Sequence, residues 1–224
     1  MKWVLLHSPH TGPLVWGAVA DDACRMGFEA QVLTMPSLAE LSPPYYPTLC
    51  AHLAVQIEAQ SVLIVHSGAG GLAAGLVEAC AGRIEQVVFV DAILPHPGRS
   101  WCSTANTELV SALKGRVING LLPTWDQWFP SGTLAGLIGD HGARKRFVRE
   151  LRPAPVGFLD EVAPDCDLDD AVAWSYLRLS KAYETEAREA RRLGRPTLRL
   201  DLDHLALMGE PRAVIAALRN LIRV

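Results

Sequence analysis

The sequence has little net charge, few cysteines and no long apolar run. Its 224 residues carry a formal charge of −3, and no cluster of Lys and Arg alternates with aromatic residues, so nucleic acid is not an expected partner. No apolar run approaches the roughly 18 residues of a membrane span, and the apolar segment at residues 3–6 is too short for a signal peptide. We therefore expect a cytoplasmic protein without a membrane partner.

The cysteines and histidines exclude further classes. The five cysteines are scattered and form no C-x-x-C pair, so neither a zinc site nor a disulfide framework is expected. No two histidines stand four residues apart with an acidic residue nearby, which is the spacing of a helical metal site. We expect no metal and no cofactor.

Apolar segments alternate with helical ones along most of the chain. Half of the residues are apolar, and the length suits one domain, residues 1–224, with a sizeable core. The pattern predicts strands at 3–6, 28–35, 62–65, 86–90, 174–179 and 196–200, and helices at 14–26, 43–57, 70–80, 184–193 and 211–222. This alternation predicts an α/β fold: a three-layer sandwich around a mostly parallel, six-stranded sheet.

The region from about 95 to 170 departs from this alternation. Gly, Pro and Trp interrupt short helical segments at 108–117, 125–129 and 143–151. Because the region follows a strand, we expect it to lie at the carboxyl end of the sheet, where open α/β sheets bind ligands. We interpret it as a short helical lid.

A serine follows the third predicted strand at a sharp turn. Residues 61–71 read as a buried strand, an abrupt turn at His66, Ser67 and Gly68, and the start of a helix of small residues. Such a turn exposes the serine hydroxyl and directs the following N–H groups at whatever the oxygen attacks. Ser67 is therefore the predicted nucleophile, the other reading being a helix cap.

A serine nucleophile needs a base and an acid that orients the base. His204 follows the last predicted strand, and Asp91 and Glu184 lie between it and Ser67, so the order Ser, Asp or Glu, His is present. With the loop His7-Ser8-Pro9 and the turn at Ser67, this order resembles the α/β-hydrolase superfamily, in particular its small esterases and hydroxynitrile lyases. The resemblance implies Ser67 as nucleophile and His204 as general base.

Two carboxylates compete for the role of the acid. Asp91 directly follows a buried apolar strand, where a solvated residue is not expected, and we prefer it. Glu184 follows the next strand, where most of the family places its acid, although it could equally be the first-turn acid of its helix. Asp201 and Asp203, next to His204 in sequence, are weaker candidates.

Two residues depart from the family pattern. Val65 stands two positions before the serine, where the family usually has glycine. Pro9 stands where the first loop normally donates a backbone N–H to the oxyanion, and proline has none. The N–H of Gly68 remains, and a second donor could come from His10 or from the Ser8 hydroxyl.

Aromatic residues are concentrated in the predicted lid. Trp125, Trp128 and Phe129 lie close together, and Tyr45 lies in the loop opposite. They indicate either a hydrophobic cluster beneath a loop or an apolar wall that binds a small apolar organic substrate.

Three functions are compatible with these residues. The first is a cofactor-independent serine hydrolase acting on a small apolar ester, thioester or lactone. The second is a lyase, cyclase or decarboxylase-like enzyme in which the same Ser–His pair acts as acid and base. The third is a non-catalytic small-ligand binding protein. We expect a monomer or homodimer, and the abundance of Ala, Leu and Arg is compatible with a bacterial source.

Overall fold

A six-stranded parallel sheet forms the centre of the molecule in the computed structural model, which describes residues 1–168 and 171–222. In chain order, the strands are β1 (Lys2–Leu6), β2 (Ala30–Val32), β3 (Ser61–Ser67), β4 (Ile84–Ala92), β5 (Leu121–Leu122), β6 (Ala154–Pro155), β7 (Ala173–Arg178) and β8 (Thr197–Arg199). The sheet has the order β2-β1-β3-β4-β7-β8, and all of its neighbours pair in parallel. The predicted α/β fold class is confirmed.

Helices connect the strands of the sheet. In chain order, they are α1 (Leu14–Arg25), α2 (Tyr45–Ala54), α3 (Ala73–Cys80), α4 (Trp101–Thr104), α5 (Thr107–Lys114), α6 (Thr133–Leu137), α7 (His141–Glu150), α8 (Gly157–Asp160), α9 (Glu184–Arg192), α10 (Ala206–Gly209) and α11 (Pro211–Leu221). Short 3-10 turns lie at Leu38–Glu40, Gly68–Leu72, Trp125–Trp128 and Lys181–Tyr183.

Both faces of the sheet are covered by helices. Every residue of β3 is buried, which is typical of a parallel strand packed on both sides. Ile64 packs in a cluster with residues of α1 and α11, whereas its neighbour Leu63 packs with residues of α2, α3 and α9. This alternation produces the three layers that the sequence predicts.

The chain reverses its direction of winding beside β3. After β1 it passes to β2 on one side, and after β3 it passes to β4 on the other. The loops that follow β1 and β3 therefore diverge at the carboxyl ends of two neighbouring strands, and the crevice between such loops is where open α/β sheets bind ligands. Ser67 ends β3 at this point.

The segment between β4 and β7 contains the predicted lid. It holds α4 to α8 and an antiparallel ribbon of β5 and β6, which sequence analysis did not predict because strands of two residues have too little pattern. Residues 169 and 170, the last two of the predicted 95–170 segment, lie outside the described residues.

Two glutamates of this segment bind the N-termini of helices on opposite faces of the sheet. Glu150 accepts a hydrogen bond from Leu14 N at the start of α1, at 2.9 Å. Glu161 accepts bonds from Tyr45 N and Tyr46 N at the start of α2, at 2.7 Å each. The first N–H groups of a helix have no partner within the helix, and they favour negative charge. These contacts attach the segment to both sides of the crevice.

Candidate active site

Ser67 adopts a strained backbone conformation at the end of β3. Its φ of 58° and ψ of −129° are unusual for a residue with a side chain. The turn is closed by a hydrogen bond from Ile93 N to Ser67 O, at 3.2 Å. A Cβ added to Gly70 would lie 1.8 Å from Ile93 O, so the close approach of the turn to the end of β4 requires glycine there.

His204 connects Ser67 to Asp91. It lies between β8 and α10, and its Nε2 is 3.1 Å from Ser67 Oγ. Its Nδ1 is 2.9 Å from Asp91 Oδ2. The three residues thus form a continuous hydrogen-bonded series, which we call the Ser67 series. His204 is 113 positions from Asp91 and 137 positions from Ser67 along the chain.

A β-bulge directs Asp91 towards His204. In the pairing of β3 with β4, His66 pairs with Val90 and Ser67 pairs with Ala92, so Asp91 is the extra residue, and its φ is 43°. Bulges beside active sites commonly redirect a side chain in this way. The Tyr176 hydroxyl bonds both Ala92 N, at 3.1 Å, and Ala92 O, at 2.7 Å, and so provides partners for backbone groups next to the bulge.

The Asp91 carboxylate is fully buried and accepts hydrogen bonds from three further donors. Oδ1 accepts from Leu179 N at 2.8 Å and from Ser180 N at 2.9 Å. Oδ2 accepts from Ser180 Oγ at 2.6 Å, in addition to His204. A buried charge is tolerated only when it is paired and hydrogen-bonded, and four donors meet this need.

The other candidate acids contact different partners. Glu184 pairs with Arg178 at 3.0 Å and with Arg199 at 3.1 Å, and these guanidinium groups lower its pKa. Asp201 also pairs with Arg178, and Asp203 accepts a hydrogen bond from Leu205 N. Of the carboxylates considered from the sequence, it is Asp91 that the structure brings to His204.

His66 packs against His204 on the inner side of the site. The two rings stack with centroids 4.4 Å apart, and His66 Nε2 donates a hydrogen bond to His204 O at 3.0 Å. Burial and the neighbouring His204 hold the pKa of His66 well below its usual range. His66 is therefore neutral, and it adds no positive charge beside the His204 ring.

The loop after β1 faces the turn at Ser67. A Cβ added to Gly68 would lie 2.9 Å from Ser8 Oγ and 3.7 Å from Pro9 Cδ, so the loop and the turn are in close contact. Ser8 Oγ accepts a hydrogen bond from His10 N at 3.3 Å. The backbone N–H of His10, which sequence analysis considered as an oxyanion donor, is therefore directed at Ser8 within the loop.

The aromatic residues of the insertion lie against the site. The Trp125 ring centroid is 6.1 Å from that of His204, and Phe129 contacts Trp125 at 4.9 Å. Trp128 packs 4.8 Å from His10, whose buried ring has its pKa lowered to about 4. Tyr45 is connected to these residues through Phe158, whose ring centroid is 6.0 Å from that of Tyr45 and 5.8 Å from that of His10.

Tyr183 contacts the Ser67 series, and sequence analysis missed it. Its hydroxyl is 3.2 Å from Ser67 Oγ, and its ring stacks on His204 with centroids 5.0 Å apart and an interplanar angle of 11°. Tyr183 directly precedes Glu184, and the sequence pattern indicated a role only for the carboxylate in this loop. The signal that could have found it is an aromatic hydroxyl in the loop after a strand adjacent to that of Asp91.

Known proteins resemble this chain in structure and not in sequence. No protein-family model and no curated protein matches the sequence. An extracellular α/β-hydrolase from a Paenibacillus species matches over 100% of both chains, with a TM-score of 0.77 and 19% identity. Polyneuridine aldehyde esterase matches over 98% of both chains, with a TM-score of 0.74 and 15% identity.

A methylketone synthase I variant from tomato has a TM-score of 0.75 and 16% identity over 98% of this chain and 96% of its own. The chain has the α/β-hydrolase fold. In that fold the nucleophile stands on a strand-to-helix turn, and the catalytic residues follow one another along the chain in the order Ser, Asp or Glu, His. In this chain, Ser67 lies at a strand-to-helix turn, Asp91 lies near the end of the strand next to β3, and His204 follows them along the chain.

Within residues 1–168 and 171–222, no group of three His, Cys, Asp or Glu side chains is placed to hold a metal ion. In the same part of the chain, no helix is both long and apolar enough to cross a membrane.

Proposed function

We propose that this chain is a cofactor-independent serine hydrolase that acts on a small apolar ester, thioester or lactone. The observation that carries the proposal is the Ser67 series, in which Ser67, His204 and Asp91 are joined by hydrogen bonds of 3.1 and 2.9 Å. This is the arrangement that activates a serine hydroxyl, which is a poor nucleophile by itself.

The Ser67 series supports a two-step acyl transfer. Ser67 Oγ attacks the substrate carbonyl carbon while His204 Nε2 takes the hydroxyl proton, and the carbonyl electron pair moves to its oxygen. When the tetrahedral adduct collapses, the bond to the leaving group breaks, and His204 returns the proton to it. Water then repeats the sequence on the acyl-enzyme and releases the acid.

Asp91 and Gly68 support this chemistry without forming covalent bonds. Asp91 accepts a hydrogen bond from His204 Nδ1, which leaves Nε2 free to take the proton. Asp91 also stabilises the imidazolium that forms. The Gly68 N–H, at the start of the turn after Ser67, donates a hydrogen bond to the oxyanion.

The surroundings of Ser67 favour an apolar substrate. Ser67 is 6% exposed, so a substrate reaches it only when groups packed around it move. Trp125, Trp128 and Phe129 of the insertion would then form one wall of the binding site, and apolar walls bind apolar groups by excluding water. The esterases among the structural neighbours are consistent with this substrate class.

The test combines covalent labelling with ester turnover. Purified protein is treated with a fluorophosphonate probe, its mass is measured, and hydrolysis of p-nitrophenyl esters from acetate to octanoate is followed. We expect one adduct on Ser67, faster turnover of the longer esters, and loss of both on Ser67→Ala. Ser61→Ala is the matched control, because it removes a buried hydroxyl at the opposite end of β3. Absence of adduct and turnover in the wild type would refute the proposal.

A second candidate is non-hydrolytic acid–base chemistry by the same Ser–His pair. Pro9 has no N–H to offer to an oxyanion, and the loss of one such donor costs acyl transfer on the order of 10²–10³ in rate. A methylketone synthase is among the structural neighbours. Release of carbon dioxide from a β-keto acid that requires His204, by a protein whose Ser67 is not labelled, would favour this candidate over ester hydrolysis.

A further inference from the structure

Tyr183 is the residue outside the Ser67 series whose hydroxyl bonds Ser67 Oγ directly. It lies in the 3-10 turn Lys181–Tyr183 after β7, and its hydroxyl is 3.2 Å from Ser67 Oγ. Its ring is stacked on His204, so the position of the hydroxyl is set by the same residue that orients Ser67. Helix α9 begins at the next residue and fixes the turn at its far end.

The hydrogen bonds of the site determine which group donates in the Tyr183–Ser67 contact. Asp91 is an acceptor, so His204 Nδ1 carries the proton that it donates to Asp91, and Nε2 is an acceptor. Ser67 must then donate its single proton to Nε2. The proton between Ser67 Oγ and the Tyr183 oxygen therefore belongs to Tyr183.

Burial keeps that proton on Tyr183. Desolvation raises the pKa of the phenol, and the nearby Asp91 charge raises it further. A phenol whose pKa is raised keeps its proton at neutral pH, so it is available there as a hydrogen-bond donor. Tyr183 is therefore a fixed donor placed directly beside the attacking oxygen.

The site needs such a donor because Pro9 provides none. In acyl transfer the oxyanion is bonded to the carbon that Oγ attacks, so it forms next to Oγ, where the Tyr183 hydroxyl lies. We propose that Tyr183 is a catalytic residue whose hydroxyl donates the second hydrogen bond to the substrate oxyanion, in place of the N–H that Pro9 lacks. This inference rests on the hydrolase function proposed above.

The other donors near the turn are less well placed for this role. The His10 N–H is directed at Ser8 Oγ, at 3.3 Å. The Ser8 hydroxyl lies against Gly68, and the structure gives it no hydrogen bond to Ser67. Tyr183, by contrast, already bonds the oxygen that attacks. When the carbonyl carbon bonds to Oγ, the phenol proton has only to turn from Oγ to the adjacent oxyanion.

The proposal is tested with Tyr183→Phe, which removes one oxygen and keeps the ring that stacks on His204. We expect kcat for an aryl ester to fall about 10²-fold, with KM changed less than threefold, because the hydroxyl acts on the transition state. The rate of fluorophosphonate labelling at Ser67 should fall by a similar factor, since the phosphonyl oxygen also becomes negative in that reaction. A role in packing alone would leave both rates unchanged.

Tyr46→Phe is the matched control, because it also removes a buried phenol oxygen, which bonds His96 at 3.0 Å. It should keep kcat within twofold of the wild type. Ser8→Ala tests the rival donor. The inference is overturned if Tyr183→Phe keeps kcat within threefold or raises it, or if Ser8→Ala alone produces the 10²-fold loss.

The failure of this inference can be distinguished from failure of the proposed function. A wild-type protein that neither hydrolyses esters nor labels at Ser67 refutes both. If the wild-type protein hydrolyses esters and is labelled at Ser67, and Tyr183→Phe changes neither rate, only the role of Tyr183 is refuted. Thermal melting of each variant shows whether a lost activity reflects lost folding.

Discussion

Replacing Asp91 with Asn should abolish most of the activity while leaving the protein folded. An amide has one oxygen and one NH₂ group. If its oxygen keeps the hydrogen bonds from Leu179 N and Ser180 N, its NH₂ group faces His204 Nδ1. Nδ1 must then accept, the proton moves to Nε2, and His204 is no longer able to take the Ser67 proton.

The expected loss of kcat follows from this change in the tautomer of His204. In a serine protease triad, the corresponding substitution lowers kcat about 10⁴-fold, which is about 5.4 kcal/mol at 1.36 kcal/mol per tenfold change. We expect a loss of the same order here. Stability should fall as well, by about 3 kcal/mol, because several hydrogen bonds to a charged acceptor become bonds to a neutral one.

The assay measures ester turnover and urea unfolding of Asp91→Asn and Glu184→Gln side by side. Glu184 pairs with Arg178 and Arg199, so its substitution should change kcat less than threefold. A kcat for Asp91→Asn within tenfold of the wild type would refute the reasoning. A large loss in Glu184→Gln alone would assign the orienting acid to Glu184.

Three further predictions concern the residues around the site. Gly12→Ala places a Cβ 2.2 Å from Glu150 Oε2 and 2.6 Å from Glu150 Cβ, so it should lower the free energy of unfolding by about 1–3 kcal/mol, seen as a lower urea midpoint. The pKa of His10 is lowered to about 4, so as the pH falls the unfolded chain binds a proton at this residue before the folded protein does. The contribution of His10 to stability is therefore lost as the pH falls from 6.5 to about 4. His10→Leu should therefore remove about 1.4 kcal/mol per pH unit from the slope of unfolding free energy in that window, and an unchanged slope would contradict the assigned pKa. Pro9→Ala supplies a backbone N–H and should raise kcat about tenfold, an expectation that a slower variant would contradict.

Much of the fold could be predicted from the sequence because long periodic segments determine their own structure. The helix predicted at 14–26 is α1, at Leu14–Arg25, and the helix predicted at 211–222 is α11, at Pro211–Leu221. The strand predicted at 28–35 is shorter, at Ala30–Val32, since it lies at the edge of the sheet and has one neighbouring strand. The ribbon of β5 and β6 was missed because two residues show no period.

The contacts of the site depend on tertiary packing and not on local sequence patterns. The sequence favours Asp91 over Glu184, because Asp91 directly follows a buried apolar strand, but Glu184 also follows a strand and stays an open alternative. The bulge at Asp91 and the donors from residues 179 and 180 direct one carboxylate to His204, and the arginines of β7 and β8 bind the other. Both outcomes depend on strands that are neighbours in space and distant in the chain.

By itself, the sequence determined the layered fold, the turn at Ser67 and the missing N–H at Pro9, because periodicity, turn residues and the chemistry of proline are local properties. The tertiary structure decided which carboxylate meets His204 and which hydroxyl lies beside Ser67. Those contacts join residues 113, 116 and 137 positions apart, and only the packing of the sheet brings them within hydrogen-bond distance.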